Sequence, residues 1–185
     1  MVNTQAVIAF ITAAFPTAKR YWRHEGWCVS PQGEKEQNHK STNVTFLLNE
    51  REGCGVRLYS DEHRCRQEQF LQCEYSDAGI GPDVMSDVCC VPYGDEDESL
   101  WFYCTEVVFP VGITHKEIVR GEDSEFGTYT WFNSPVFKDA YKILMDKART
   151  VLGDRYDGWD THAFNFGLKG EQLVAIDMGA LETYS

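Results

Sequence analysis

The side chains best suited to chemistry lie near the C-terminal end of the sequence. Asp160 is followed five positions later by Asn165, and Asp177 stands twelve positions further on. A carboxylate can accept or orient the proton of a hydroxyl nucleophile, and amide and carboxylate oxygens are hard ligands that suit Mg²⁺. In this order, the three residues are typical of ATP-dependent phosphoryl transfer, with Asp160 orienting the nucleophile and Asn165 and Asp177 holding the metal.

The segment between Asn165 and Asp177 is predicted to bring these two residues together. Residues 166–168 and 172–176 have the pattern of β-strands, and residues 169–171 between them form a Gly-containing turn. A hairpin returns its two ends to one place, so both oxygen ligands are expected to converge on one ion. Water and substrate phosphates would complete the shell of that ion. Asp160 is expected one loop away.

The elements that precede this segment are predicted from periodicity, caps and chain-breaking residues. An amphipathic helix follows Asn3 and Thr4, and a second helix covers residues 61–75. A third helix is opened by Ser134-Pro135 and stopped by Gly153, with an apolar stripe between them. Its stripe comprises Phe137, Ala140, Tyr141, Leu144, Ala148, Val151 and Leu152. The predicted strands are residues 26–29, 43–48, 54–59, 84–93 and 100–109.

Composition limits the classes of function. At 185 residues with 43% hydrophobic residues, the chain can bury a core, and its net charge of −12 argues against nucleic-acid binding. The apolar run at residues 6–15 is too short to span a bilayer and is predicted to be a core helix. No membrane partner is therefore expected.

The cysteines favour a reducing compartment. There are seven of them, an odd number, and no two form a CxxC pair, so a cytoplasmic location is predicted. A zinc site built from Cys54, His63, Cys65 and Cys73 is the less favoured alternative, because buried free thiols are more common than metal sites at such unspecific spacing.

The order of these elements resembles the protein-kinase-like fold. Residues 160–165 match the catalytic loop in its D-x-H-x-x-N form, as in aminoglycoside-phosphotransferase-like proteins and compact bacteriophage-encoded kinase-like proteins, and residues 176–179 resemble the DFG segment. The resemblance implies an α+β, two-lobed minimal kinase-like fold. Residues 1–108 would form an N-terminal helix and an N-lobe with an antiparallel sheet and one main helix. Residues 109–185 would form a truncated helical C-lobe that carries the catalytic loop and the metal-binding hairpin.

The resemblance also implies a nucleotide site in the N-lobe. Gly55-Val56-Arg57 stands where the family has its A-x-K triplet, so Arg57 would contact ATP phosphates and pair with Glu68 on the following helix. Residues 104–108 are similar to the hinge that receives adenine through backbone hydrogen bonds, with Glu106 and Val108 as the contacts. ATP and Mg²⁺ are the expected cofactors.

The sequence departs from the kinase pattern at several positions. Arg57 replaces a lysine, no G-x-G-x-x-G loop precedes the strands, where only Gly26 and Gly33 are nearby, and Gly158 stands where many kinases have histidine. The chain also ends eight residues after Asp177, which leaves no room for an activation segment and resembles compact phage proteins. These departures bear on catalysis more than on fold.

Two functions follow from the resemblance. The first is a phosphotransferase that moves the γ-phosphate of ATP to a hydroxyl, with a host protein as a candidate acceptor in the host cytoplasm. The second is a catalytically degenerate, acidic kinase-like protein that binds and inhibits a host or partner protein. The simplest interpretation without the resemblance is an ordinary α+β domain in which Asp160 caps a turn and Asp177 ends a strand.

Overall fold

The helices and strands combine α and β structure in the predicted manner. The structure, a computed structural model, describes residues 2–14, 23–24, 26–29, 44–49, 53–92, 99–108, 110–111, 137–158 and 165–182. The α-helices are α1 (Thr4–Ala14), α2 (Glu62–Asp77) and α3 (Lys138–Leu152). The strands are β1 (Arg23–His24), β2 (Trp27–Val29), β3 (Val44–Asn49), β4 (Cys54–Tyr59), β5 (Cys89–Pro92), β6 (Ser99–Glu106), β7 (Phe166–Lys169) and β8 (Gln172–Ala175). The α+β class is confirmed, and this order is the one expected of a compact kinase-like fold.

The chain forms two compact units. The first unit consists of Met1–Leu71 and Asp83–Val107, and the second consists of Gln72–Pro82 and Val108–Ser185. Helix α2 begins in the first unit and ends in the second. The predicted division of the chain at residue 108 stays a prediction.

A six-stranded antiparallel sheet dominates the first unit, in the order β1-β2-β3-β4-β6-β5. Strand β4 is central, and Arg57 in it lies opposite Phe46 of β3 and Tyr103 of β6. Successive side chains on a strand point to opposite faces of the sheet. Arg57 therefore shares a face with Gly55 and Tyr59.

Helical residues cover both faces of this sheet. The apolar side of α1, including Phe10 and Ile11, packs in one core cluster with Val56 and Leu58 of β4. The core helix predicted for this segment is thereby confirmed. Cys65 of α2 belongs to a separate cluster on the opposite face. Among the described residues, no helix combines the length and apolarity needed to cross a membrane.

The predicted strand over residues 84–93 is wrong in its first half. Strand β5 begins only at Cys89, and Val84 makes a single bridge to Thr105. The reason lies at Ser86, whose side-chain hydroxyl accepts the Cys104 N–H at 2.8 Å. A serine side chain that takes a backbone hydrogen bond in this way competes with the regular ladder between strands.

Helix α3 supplies much of the core of the second unit. Its buried residues are Leu144, Met145, Ala148 and Leu152, and the helix packs against β8. Val151 was predicted in the apolar stripe but is 41% exposed, because the buried face is centred closer to Met145. Gly153 caps the C-terminus with a positive φ of 54°, as predicted. The described helix has Phe137 at its N-cap, and the predicted cap at Ser134-Pro135 lies outside the described residues.

Candidate functional site

The hairpin predicted between Asn165 and Asp177 is present in the second unit. Strands β7 and β8 pair in antiparallel register from Phe166 opposite Ala175 to Lys169 opposite Gln172. Gly170 opens the two-residue turn with φ 62°, a left-handed conformation that glycine adopts without steric cost. The turn chemistry thus explains why the chain reverses here.

The hairpin brings the two predicted metal ligands to adjacent positions. The Asn165 carbonyl oxygen accepts the Ile176 N–H at 2.9 Å and lies 3.4 Å from the Asp177 nitrogen, which also donates to it. Asn165 is buried, with 6% of its surface exposed, whereas Asp177 is exposed. One ligand position is therefore inside the second unit and the other faces solvent.

The Asp177 carboxylate has a defined orientation. Its Oδ1 accepts the Gly179 N–H at 3.0 Å, which caps the short 3-10 helix Met178–Ala180. Among the described residues, its second oxygen has no hydrogen-bond or ion-pair partner. A carboxylate fixed through one oxygen, with the other exposed, has the form of a monodentate metal ligand.

Protein carboxylates alone do not make a complete metal site here. In the described ranges, no group of three or more His, Cys, Asp or Glu side chains could hold a metal ion. The zinc alternative built on Cys54, His63, Cys65 and Cys73 is therefore wrong, since these side chains do not converge. A Mg²⁺ ion at Asp177 fits this donor set only if the Asn165 amide, water and nucleotide phosphates supply the remaining oxygens, as is usual for Mg²⁺.

The hairpin is anchored by the turn that follows α2. The Ala175 N–H donates to the Ile80 carbonyl at 2.8 Å, and the Gln172 side-chain amide donates to the Gly79 carbonyl. This turn therefore supplies acceptors to β8 immediately before Asp177.

The predicted catalytic Asp160 lies outside the described residues, as do residues 161–164. Its role therefore stays a prediction. Gly158, which stands where many kinases have histidine, is described. A Cβ atom at Gly158 would lie 2.6 Å from the Tyr156 hydroxyl, so a side chain there would require Tyr156 to move.

In the first unit, Arg57 lies beside an apolar cluster on the α2 side of the sheet. The rings of Tyr59 and Tyr103 stack with their centroids 6.1 Å apart, and both pack with Cys65 of α2. All three side chains are almost completely buried. Sequence reasoning assigned no role to Tyr59 or Tyr103 and considered Cys65 only as a zinc ligand. The alternation of side chains along β4 could have placed Tyr59 on the face of Arg57, but no local signal marks Tyr103.

Burial controls the acidity of this cluster. It raises the pKa of Tyr59 well above its usual value and the pKa values of Tyr103 and Cys65 to about 12. The positive charge of Arg57 acts against this effect and lowers the pKa of both tyrosines, whereas Glu68 raises it. All three groups are therefore neutral at physiological pH. Arg57 is a cation near the two tyrosines, and Arg66 is one near Cys65.

The predicted partnership of Arg57 with Glu68 stays a prediction. Glu68 forms an ion pair with Arg64, one helical turn earlier, with 3.9 Å between Arg64 Nε and Glu68 Oε1. Whether Arg57 contacts phosphate stays a prediction.

The two predicted adenine contacts lie on different units. Glu106 ends β6 in the first unit, where its N–H donates to the Asp83 carbonyl at 2.8 Å and its carboxylate accepts the Asp83 N–H at 3.1 Å. Val108 belongs to the second unit. The Glu106 N–H is thus already used within the first unit, and nucleotide binding at the two residues stays a prediction.

Another group of residues missed by the sequence analysis lies in the second unit. Near the end of α2, Glu74 binds Arg155, and the Tyr75 hydroxyl contacts the Met178 carbonyl and the Glu182 carboxylate. Arg155 in turn forms an ion pair with Glu182. These partners are about a hundred positions apart along the chain. No local pattern marks such contacts in the sequence.

Comparisons with known proteins give weak likenesses to kinases. No family model matches the chain, and no curated protein matches it. Similar solved structures include the MAP kinase LmaMPK10 from Leishmania major, with 11% identity, a TM-score of 0.40, and coverage of 94% of this chain and 49% of that chain. The ROP18 kinase domain in complex with AMP-PNP and sucrose has 15% identity, a TM-score of 0.33, and coverage of 75% and 48%.

A choline/ethanolamine kinase family protein from Mesorhizobium loti gives a similar result, with 12% identity, a TM-score of 0.37, and coverage of 97% of this chain and 65% of that chain. The chain thus spans about half the length of the first two proteins and 65% of the third. Likenesses this weak carry no argument about chemistry, which must come from the residues of this chain. The resemblance to bacteriophage proteins stays a prediction.

Proposed function

We propose that this chain is a kinase-like phosphotransferase that binds a nucleoside triphosphate with Mg²⁺ and transfers its γ-phosphate to a hydroxyl acceptor. The observation that carries the proposal is the pairing of Asn165 with Asp177 across the base of the β7–β8 hairpin. It places an amide and an oriented carboxylate at neighbouring positions. Two such oxygen ligands are a common protein contribution to a magnesium nucleotide site.

The proposed roles follow from the chemistry of each side chain. Asp160 orients the acceptor hydroxyl and takes its proton as the oxygen bonds to the γ-phosphorus, while the bond to the β–γ bridging oxygen breaks and the nucleoside diphosphate leaves. Mg²⁺, when bound, neutralises phosphate charge. Arg57 offers a planar guanidinium whose fixed fork of N–H groups matches two phosphate oxygens, whereas a lysine ammonium is a compact point charge.

The first experiment measures metal and nucleotide binding. Mn²⁺ serves as the probe, with and without ATP, and affinity is followed by electron paramagnetic resonance or calorimetry. Asp177→Ala is expected to weaken Mn²⁺ binding about 10–100-fold or more, because the oriented carboxylate is lost. The matched control is Glu171→Ala, which removes the same charge from the exposed turn at the opposite end of the hairpin. Equal affinity for the parent and the Asp177→Ala variant refutes the assignment of Asp177.

A second experiment separates turnover from binding. Labelled ATP and Mg²⁺ are incubated with the parent and with Asp160→Asn, each with and without bacterial lysate as a source of acceptors. Transfer by the parent that is lost in the variant supports the phosphotransferase. Metal-dependent nucleotide binding without any transfer would instead support the second candidate, a catalytically degenerate protein that acts by binding a partner.

A further inference from the structure

The segment that follows Asp177 is buried, although Asp177 itself is exposed. Met178 and Leu181 are fully buried, and Glu182 is 4% exposed. Asp177 is tied to this segment by the hydrogen bond from the Gly179 N–H. The orientation of its carboxylate therefore depends on how residues 178–182 are held.

Tyr75 holds both ends of this segment. It projects from the last turns of α2 and is completely buried. Its hydroxyl lies 2.9 Å from the Met178 carbonyl oxygen and 3.2 Å from Glu182 Oε1. One hydroxyl proton is available to these two acceptors, so Tyr75 connects the residue after Asp177 with the carboxylate at the end of the segment.

Arg155 compensates the buried charge of Glu182. Its guanidinium makes two hydrogen bonds with Glu74, at 3.0 and 3.3 Å, and Nη1 also lies 3.4 Å from Glu182 Oε2. The hydrogen bond with Glu74 is the main cause of the raised pKa of Arg155, and the charge of Glu182 raises this pKa further. A buried carboxylate is tolerated only where such partners replace its hydration, so Glu182 has few alternative positions.

Backbone hydrogen bonds complete the attachment. The Asp157 N–H donates to the Leu181 carbonyl at 2.8 Å, and Tyr156 and Glu182 form an isolated antiparallel bridge. Residues 155–157 therefore contact the segment through both side chain and main chain. Asp157 lies three positions before Asp160, so the same contacts hold the chain that leads to the predicted catalytic loop.

We infer that Tyr75, Arg155 and Glu182 form a positioning network that orients the Asp177 carboxylate. The network holds residues 178–182, and the Gly179 N–H transmits this order to Asp177. Its consequence for divalent-metal affinity rests on the proposed function, whereas its effect on the order of the segment does not. None of the three side chains is assigned a contact with substrate, so they act through Asp177.

The test uses two conservative substitutions and a matched control. Tyr75→Phe removes only a hydroxyl group, and Glu182→Gln removes the charge at nearly constant size. The control, Asp146→Asn, breaks exposed ion pairs of α3 with Lys142 and Arg149 at 2.8 and 3.2 Å in the same unit. All proteins are compared at a temperature at which thermal melting shows them to be folded.

Two readouts are measured on the full chain. Without metal, hydrogen exchange of the Gly179 amide is expected to become roughly tenfold faster in both network variants, while the Ala175 amide, which donates to Ile80, keeps its parent rate. With Mn²⁺, the affinity of both variants is expected to fall about 10–100-fold, as for other residues that orient a metal ligand. The Asp146→Asn control is expected to match the parent in both measurements.

Several results would overturn the inference. Parent-like exchange at Gly179 in both network variants means that the network does not order the segment. Equal acceleration of exchange at Gly179 and Ala175 means that the substitutions loosen the whole hairpin, so that the network does not position residues 178–182 specifically. Faster exchange at Gly179 with undiminished Mn²⁺ affinity refutes the link to Asp177. If the parent itself binds no Mn²⁺, the proposed function fails, and Gly179 exchange still decides whether the network positions the segment.

Discussion

Alkaline pH is expected to destabilise the first unit through Cys65. This thiol is completely buried with Tyr59 and Tyr103 on the side of the sheet that carries Arg57, and burial raises its pKa from 9.0 to about 12. In the unfolded chain the same thiol is hydrated and loses its proton near its ordinary pKa. Between pH 9 and pH 12 the unfolded state therefore binds fewer protons than the folded state, and stability falls as pH rises.

The magnitude follows from these two pKa values. Below pH 9 the thiol is protonated in both states and its contribution is fully present. At pH 10 the preference of the unfolded state for the thiolate lowers the free energy of unfolding by about 1 kcal/mol, and the full loss above pH 12 is about 4 kcal/mol. With a urea dependence of about 1–3 kcal/mol per molar, a loss of about 1 kcal/mol shifts the midpoint by about 0.3–1 M.

The assay is urea unfolding at pH 8 and pH 10 in a reducing buffer, for the parent and for Cys65→Ala. The variant is less stable at both pH values because it loses buried atoms. Its loss of stability between pH 8 and pH 10 should nevertheless be smaller than that of the parent, by about 1 kcal/mol. The tyrosines titrate in both proteins, so their effect cancels. Cys90→Ala is the control, since that thiol is exposed to water before and after unfolding.

An equal loss of stability in the parent and Cys65→Ala would refute this reasoning. It would mean that the Cys65 thiol stays in contact with water in the folded protein. The cluster beside Arg57 would then be hydrated, and the low-dielectric surroundings that strengthen a cation's attraction for phosphate would be absent. The experiment therefore tests the surroundings predicted for phosphate binding by Arg57 without requiring any ligand.

Two packing predictions concern the second unit. Leu144→Ala should lower the free energy of unfolding by about 2–5 kcal/mol, whereas Ile143→Ala, at a position 56% exposed, should cost less than about 1 kcal/mol. Thermal or urea unfolding of the pair checks this, and similar costs would contradict the orientation of α3. Gly81→Ala should cost about 1–3 kcal/mol, because its Cβ would lie 2.7 Å from the Tyr75 Cβ, and it should accelerate hydrogen exchange at Gly179. Stability and exchange equal to those of the parent would show that Tyr75 adjusts freely.

Predictions that depended on neighbouring residues succeeded. The β7–β8 hairpin was predictable because two short strand-like runs flank a turn that carries Gly170 at the position with positive φ. Helix α1 and the cap at Gly153 were predictable for the same reason, since their signals lie within a few positions of each element. The predicted turn covered residues 169–171, whereas in the structure Lys169 already pairs with Gln172 and the turn is Gly170-Glu171. Either turn returns Asn165 and Asp177 to the same end of the hairpin, which is why they could be paired in advance.

Predictions failed where distant contacts or side chains decide the structure. Val151 fits the helical spacing of α3, but spacing alone does not determine where the centre of the buried face lies. In the structure that face is centred near Met145, which leaves Val151 exposed. The strand expected from residue 84 gives way to an irregular segment because Ser86 takes a hydrogen bond from β6. Local hydrophobicity predicts neither the exposure of Val151 nor the irregular segment at Ser86.

The same distinction applies to the candidate site. Local sequence places a carboxylate at position 177, but the structure orients it through Tyr75, which binds Met178 from 103 positions away, and through the pair of Arg155 with Glu182. A motif can therefore persist in a chain whose distant contacts no longer hold the carboxylate in a binding orientation. The network of Tyr75, Arg155 and Glu182 therefore determines whether Asp177 belongs to a working site or to the remnant of one. Tyr75→Phe, which leaves the motif intact, is for that reason a sharper test than substitution of Asp177 itself.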